Sequence, residues 1–201
     1  MKILVACEYS GRVRDAFKAK GHTAVSCDLL PTDAGGLHYE GDIFDLIDDS
    51  WDMMISFPPC TYLCSSGLHW NKKDPERAQK TEEALKFVKA LLDAPIPRIA
   101  LEKPIGCISS RIRKPDQIIQ PWQFGEDASK STCLWLKNLP KLEPTKVIEP
   151  RIVNGKKRWS NQTDSGQNRL GPSEDRWKIR SLTYQGIADA MAEQWSNLEE
   201  R

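Results

Sequence analysis

Trp51-Asp-Met-Met-Ile-Ser-Phe-Pro-Pro-Cys60-Thr-Tyr-Leu63 decides how this chain is read. The segment from Trp51 to Ser56 is short and mostly apolar, the pattern of a buried strand. Pro58 and Pro59 fix φ and donate no backbone N–H, so the strand must stop there and the loop beyond it is stiffened. A thiol, Cys60, is thereby presented at the carboxyl end of a strand, where open α/β sheets place their ligands. Thiols are intrinsically nucleophilic and need only a partly lowered pKa, so Cys60 is a candidate nucleophile. The competing reading is a small buried hydrophobe, the commonest fate of a free cysteine.

On either side of this stretch, strands and helices alternate. Lys2-Ile-Leu-Val-Ala-Cys7 is a continuous apolar run of the kind found in a fully buried parallel strand. Glu8-Tyr-Ser-Gly11 is a turn, and Val13, Ala16 and Phe17 mark the apolar side of a helix that ends near Gly21, a plausible left-handed C′ residue. Thr23–Cys27 is a second strand ending in Asp28, and His38–Ile43 a third short edge containing Asp42. A helix is expected from about Asp74 to Asp93, with Ala78, Ala84, Leu85, Val88, Leu91 and Leu92 on its apolar side. Arg98-Ile-Ala-Leu-Glu102 is the next strand, ending in Lys103-Pro104. This alternation predicts an α/β fold with a doubly wound, mostly parallel sheet. Beyond Pro104 the chain becomes rich in Pro, Gly, Ser, Trp and basic residues without sustained periodicity. A final helix, Tyr184–Trp195, carries Ile187, Ala190, Met191 and Trp195 at helical spacing.

Composition narrows the functions. The 201 residues carry 29 Lys+Arg against 28 Asp+Glu, a net charge of +1, so attraction to a polyanion must come from a local patch. No apolar run is long enough to span a bilayer and no basic-then-apolar signal opens the chain, which predicts a soluble, cytoplasmic protein without membrane association. The six cysteines, at 7, 27, 60, 64, 107 and 133, are irregularly spaced and predict reduced thiols rather than a disulfide framework. Cys60-x3-Cys64 has no second pair or close histidines to complete a zinc site, so no metal is expected. His22, His38 and His69 read as ordinary surface or turn residues.

Acids at successive strand ends suggest a nucleoside site. Asp28 is placed to accept from ribose hydroxyls. Asp42 is placed to accept from an adenine amino group or to cap a loop. The first turn has only Gly11 and lacks G-x-G-x-x-G, so pyrophosphate cradling is not supported, and a cofactor containing adenosine without phosphate fits better. Glu102, at the same sheet edge as Cys60, is a candidate acid or hydrogen-bond partner for a heterocycle; the alternative is an ion pair with Lys103 or an arginine. Thiol plus carboxylate without a spaced histidine argues against a protease-type Cys-His pair.

The order of these motifs resembles the cytosine-C5 DNA methyltransferase family over roughly residues 3 to 106, with a weaker match at the C-terminal helix. Tyr9-Ser-Gly11 with Phe17 is similar to a reduced glycine-rich first motif, Asp28 to the second-strand acid and Gly41-Asp42-Ile43 to the third motif. Ser56-Phe-Pro-Pro-Cys60 with Ser65-Ser66-Gly67 resembles the nucleophile loop, and Leu101-Glu102-Lys103-Pro104 the Glu-Asn-Val motif. Ser181-Leu-Thr183 and Gly186-Ile187-Ala188 resemble the last two motifs. The chain departs from the family in Lys103, which stands where the family has Asn. It also has few first-motif glycines, no Gln-x-Arg-x-Arg motif and no room for a large target-recognition domain. The short pattern resembles methyltransferase-like proteins encoded by phages, which would place it in the cytoplasm of a bacterial host.

The resemblance implies a Rossmann-like S-adenosylmethionine-dependent methyltransferase fold with a reduced, loop-rich insertion. It divides the chain into a cofactor-binding and catalytic core (1–104), a reduced target-recognition or substrate segment (105–182) and a C-terminal helix packing on the core (183–201). It implies methyl transfer from S-adenosyl-L-methionine to C5 of cytosine, most naturally in DNA, with Cys60 as covalent nucleophile and Glu102 holding the base. Glu8, Tyr9, Ser10, Gly11, Asp28, Leu29, Asp42, Ile43, Pro58 and Pro59 would contact the cofactor. Ser65, Ser66, Arg111, Arg113, Arg151, Lys156, Arg158 and Arg169 are the expected substrate or nucleic-acid contacts, and with so little recognition surface a homodimer or protein partner could contribute. Two alternatives remain: a non-catalytic nucleic-acid or protein binding module on the same fold, and a methyltransferase of RNA or a free nucleotide.

Overall fold

The computed structural model describes residues 1–198. In chain order its elements are β1 (Lys2–Ala6), α1 (Arg12–Ala19), β2 (Thr23–Asp28), β3 (His38–Glu40), β4 (Met53–Ser56), α2 (Ser65–Leu68), α3 (Pro75–Leu92), β5 (Arg98–Pro104), α4 (Ile108–Arg111), β6 (Gln117–Ile119), β7 (Thr132–Lys137), β8 (Arg151–Val153), β9 (Lys156–Arg158), α5 (Arg176–Ser181) and α6 (Gln185–Trp195). Seven strands form one sheet in the order β3-β2-β1-β4-β5-β7-β6. The first five are parallel, whereas β7 runs antiparallel to both β5 and β6. This is the expected doubly wound, Rossmann-like α/β sheet, with a reversed strand inserted near one edge.

The apolar runs explain the layering. Ile3, Leu4, Val5 and Ala6 of β1 are all fully buried, as a central parallel strand covered on both faces requires. Their alternation splits the core: Ile3 and Val5 join Phe17 of α1 and Met191 and Trp195 of α6, while Leu4 and Ala6 join Leu85, Val88 and Leu91 of α3. Asp74 caps α3 by accepting from Arg77 N at 3.0 Å, with Pro75 in the first turn. Gly21 adopts the expected positive φ beyond α1, at 83°.

The structure departs from the sequence expectations in two places. β5 continues past Glu102 to Pro104 because β7 pairs with its last residues, Lys103 opposite Cys133 and Pro104 opposite Thr132. Two strands of the 105–182 segment, β6 and β7, thereby join the sheet of the core. Aperiodic sequence between the short strands hid them. β8 and β9 form a separate hairpin, pinned to the segment before β7 by Asn161, whose side chain bridges Ser129 N and O at 3.0 and 2.9 Å. Residues 199–201 of the expected C-terminal unit lie outside the described residues. Among the described residues no helix is long and apolar enough to cross a membrane.

Candidate active site

Chain direction reverses its course across the sheet between β1 and β4: the connections from β1 run toward β2, and those from β4 toward β5. In open α/β sheets this switch point leaves a crevice at the carboxyl ends of the strands. Here a cleft of about 250 Å³ occupies that position. Cys7–Ser10 line it after β1, Asp28 and Leu30 after β2, Phe57–Thr61 after β4 and Glu102–Pro104 from β5. Lys130 and the stretch Trp177–Thr183, apart from Lys178 and Ile179, complete the wall.

Cys60 is exposed at the head of a helical turn, in which Leu63 N and Cys64 N both donate to Cys60 O, at 3.0 and 3.1 Å. That turn brings the two thiols together. Hydrogen bonding from Cys64, then the positive charges of Lys103 and Lys130, hold the Cys60 thiol below its ordinary range, against burial and the Glu102 charge. Cys64 moves the opposite way, because the same hydrogen bond and its burial retain its proton. The stiff Pro58–Pro59 entry thus delivers an accessible, acidified thiol, the microenvironment of reactive cysteines.

Glu102 and Lys103 leave β5 on opposite faces. Glu102 stands opposite Leu134, which packs on the α1/α6 side, and Lys103 opposite Cys133, which packs on the α3 side. The expected alternative of a Glu102–Lys103 pair is therefore excluded by strand geometry, and among the described residues Glu102 has no ion-pair partner. Its carboxylate shares the cleft with Cys60.

The nominated cofactor side divides into residues that line the cleft and residues that do not. Asp28 lines it half-buried, with Oδ1 accepting from Leu30 N at 3.0 Å; burial raises its pKa. Tyr9, Ser10, Pro58 and Pro59 line it as well. Glu8 lines it too, but its carboxylate is committed to the fold: Val13 N, Arg14 N and Ser10 Oγ donate to it, at 2.8, 3.3 and 3.1 Å. Gly11 lies behind it at φ 72°, opening α1. With Gly11, three more nominated contacts stand outside the cleft. Leu29 points to solvent, Ile43 is packed in the core on the α3 side, and Asp42 caps the turn at Ile43–Asp45 by accepting from Phe44 N at 3.1 Å.

The nominated basic residues are largely engaged elsewhere. Arg111 pairs with Glu82 at 2.8 Å, Arg113 with Asp116 at 2.7 Å and Arg151 with Asp164 at 2.5 Å. Arg158 and Arg169 donate to the carbonyls of Asp164 and Gln162. None of them lines the cleft, nor do exposed Lys156, Ser65 and Ser66. Polar loops satisfy their own carbonyls and acids when water is the alternative, so these arginines are already engaged in the unbound protein.

Sequence reasoning missed Lys130, Trp177 and Arg180 as cleft residues. Tyr9 brings α5 over the cleft: its hydroxyl donates to Lys178 O and meets Ser181 Oγ, both at 3.0 Å, and its ring lies 6.5 Å from that of Trp177. Lys178 pairs with Asp33, Arg12 donates to Thr183 O, and Lys130 Nζ donates to Arg180 O. These contacts span between 50 and 172 positions and leave no local signature. Among the described residues no cluster of His, Cys, Asp and Glu could hold a metal ion.

Comparison with protein families and with curated proteins finds no match for the chain. Among solved structures it is similar to a candidate DNA modification methyltransferase encoded within a prophage of E. coli, with a TM-score of 0.44 and 11% identity. The match covers 74% of this chain and 52% of that one, so the chain spans about half the length of that protein. At this distance the chemistry of the cleft itself carries the functional reading.

Proposed function

We propose that this chain is a methyltransferase that methylates C5 of cytosine in DNA through a covalent Cys60 adduct. The observation that carries the reading is the meeting of an exposed thiol, Cys60, and a carboxylate without an ion-pair partner among the described residues, Glu102, in one cleft at the switch point of the sheet. Cytosine C5 is a poor nucleophile until a thiolate adds to C6. Cys60 Sγ makes that bond, Glu102 holds the N3 edge as charge develops on the ring, and after methylation the C5 proton passes to water in the open cleft while the C5–C6 double bond re-forms and the C6–Sγ bond breaks.

The cleft also suits the methyl donor that the resemblance implies. Asp28, with Tyr9, Ser10, Pro58 and Pro59, would hold S-adenosyl-L-methionine, Asp28 accepting from ribose hydroxyls. The first turn provides no pyrophosphate cradle, in keeping with a nucleoside that carries none. When bound, this group supplies the electrophilic methyl. Glu8 contributes by shaping the first turn, since its carboxylate orders the start of α1.

The test is tritium transfer from labelled S-adenosylmethionine to duplex DNA, RNA and dCMP, together with trapping by DNA containing 5-fluorocytosine. Cys60→Ser should abolish both transfer and trapping while leaving the fold intact, and Cys64→Ser should retain most activity. Full activity in Cys60→Ser removes the proposal. A second reading, a single-stranded or free nucleotide as substrate, is favoured by the internal pairing of the nominated arginines, which leaves Lys130 and Arg180 as the cleft's accessible cations. Preferential transfer to dCMP or RNA would establish it. No transfer to any of the three would favour a non-catalytic binding module.

A further inference from the structure

Lys103 is the most anomalous residue in the cleft. It is only 5% exposed, and among the described residues no carboxylate lies within ion-pair distance of it. Its Nζ is not among the buried unpartnered polar atoms, so the buried stem carries the ammonium to the cleft, where an anion is its natural partner. Carboxylates do not supply it: Glu102 leaves the strand on the opposite face, and Glu8 is occupied by α1.

The geometry around Lys103 offers sulfur instead. Its face of β5 is the α3 side, where buried Leu63 anchors the Cys60–Cys64 turn. That turn is stapled to the segment directly after β5. Cys107 N donates to Leu63 O at 2.9 Å, Ser65 N donates to Ile105 O at 3.2 Å, and Cys64 bridges to Gly106. Gly106 makes this approach possible, since a Cβ there would lie 2.0 Å from Leu63 O. Lys103, Cys60 and Cys7 line one cleft, and the Lys103 charge lowers the pKa of Cys60, Cys64 and Cys7 alike. Cys7 is nonetheless pushed up to about 12 by burial and by the Asp28 charge, and Cys64 keeps its proton. Cys60, exposed and lining the cleft where Cys64 does not, is the thiol of the pair placed to ionise. The other charged groups acting on this pair are Lys130 and Arg180, which reinforce Lys103, and Glu102, which opposes them.

We propose that Lys103 is a positioning residue whose ammonium, carried to the cleft on a buried stem, holds Cys60 as a thiolate in the resting protein. The Cys60 proton passes to solvent through the open mouth of the cleft, and Cys64 S–H remains as a donor to the sulfur anion. The side chain at the position where the family resemblance leads one to expect Asn thus serves the nucleophile directly. The inference rests on Cys60 being the reactive thiol, but its test requires neither methyl donor nor base.

The experiment is alkylation of Cys60 by iodoacetamide, followed by peptide mass spectrometry across the acidic to alkaline range, on the full chain without ligands. Wild type should reach its maximal rate below the range of an ordinary thiol. Lys103→Met should move the midpoint upward by about one pH unit or more, about tenfold slower alkylation on the rising limb. Lys103→Arg, which keeps the charge, should stay close to wild type. Superimposed profiles for wild type and Lys103→Met overturn the proposal. If Lys103→Met does not fold, Lys103→Gln makes the same comparison. The thiolate absorbance of wild type minus Cys60→Ser at neutral pH is a check that touches no lysine, and its absence also overturns the proposal. A low wild-type midpoint in a protein that methylates nothing would refute the methyltransferase reading and leave the Lys103–thiolate pair standing.

Discussion

Glu8, Asp28 and Glu102 are three acids around one cleft, and their partners assign them different work. Among the described residues Glu102 has no ion-pair partner, and on the proposed reading it should act on the bound base. Glu102→Gln should cut methyl transfer strongly with little change in donor affinity, and an unchanged rate would demote it. Asp28→Ala should do the reverse, weakening donor binding by about 1–3 kcal/mol in a calorimetric titration. Glu8 supports the fold, and burial raises its pKa. An acid whose folded pKa lies above its unfolded value binds its proton more readily in the folded state. Its contribution is present below the unfolded pKa and is lost as pH rises through the folded one. The stability of wild type relative to Glu8→Gln should therefore fall with rising pH across that window, as read from denaturant midpoints. A flat difference would contradict the burial argument. Cys60, Glu102 and Asp28 were legible as candidate site residues because each lies near the carboxyl end of a recognisable strand. The separate task of Glu8 was not, because its partners, Val13 N and Arg14 N, become visible only once α1 is in place.

Among the elements, the junction of β5 with the turn after β4 matters most. The two are joined by backbone hydrogen bonds around Gly106, where a methyl group would overlap Leu63 O. Gly106→Ala should destabilise the chain by about 1–3 kcal/mol through overpacking and displace the Cys60 turn. Thermal unfolding together with Cys60 alkylation would show both effects, and a variant with wild-type melting and reactivity would mean the junction yields easily. The strands β1, β2, β4 and β5 could be read from continuous apolar runs, and α3 from its period and its Asp-Pro start. β6 and β7 could not, since neither announces itself in an aperiodic stretch. Their pairing becomes favourable only against the exposed edge of β5, and it lengthens β5 by the residues that contain Lys103.

At the scale of the whole molecule, charge is balanced and the nominated arginines mostly satisfy the protein itself. Nucleic-acid affinity should then depend on a few cleft-side cations. Lys130→Ala and Arg180→Ala should each lower the slope of log affinity against log salt by about one, whereas Arg111→Ala should leave it unchanged. Filter binding over a salt series would measure this, and a steep slope insensitive to Lys130 and Arg180 would return the interface to the 151–169 region. With so few groups to read base edges, the expected target is short or defined by shape.

By itself the sequence determined the parallel core, the stiff Pro-Pro-Cys entry and the strand-end acids, because these follow from local periodicity and from proline's fixed φ. Tertiary structure alone decided which charges remain unspent: Glu8 absorbed by a helix start, the arginines by loop carbonyls and acids, and Lys103 left among thiols. It also decided that α5 closes the cleft. Both outcomes depend on pairings between residues far apart in the chain, and a buried charge acquires its partner only when the fold removes water from around it.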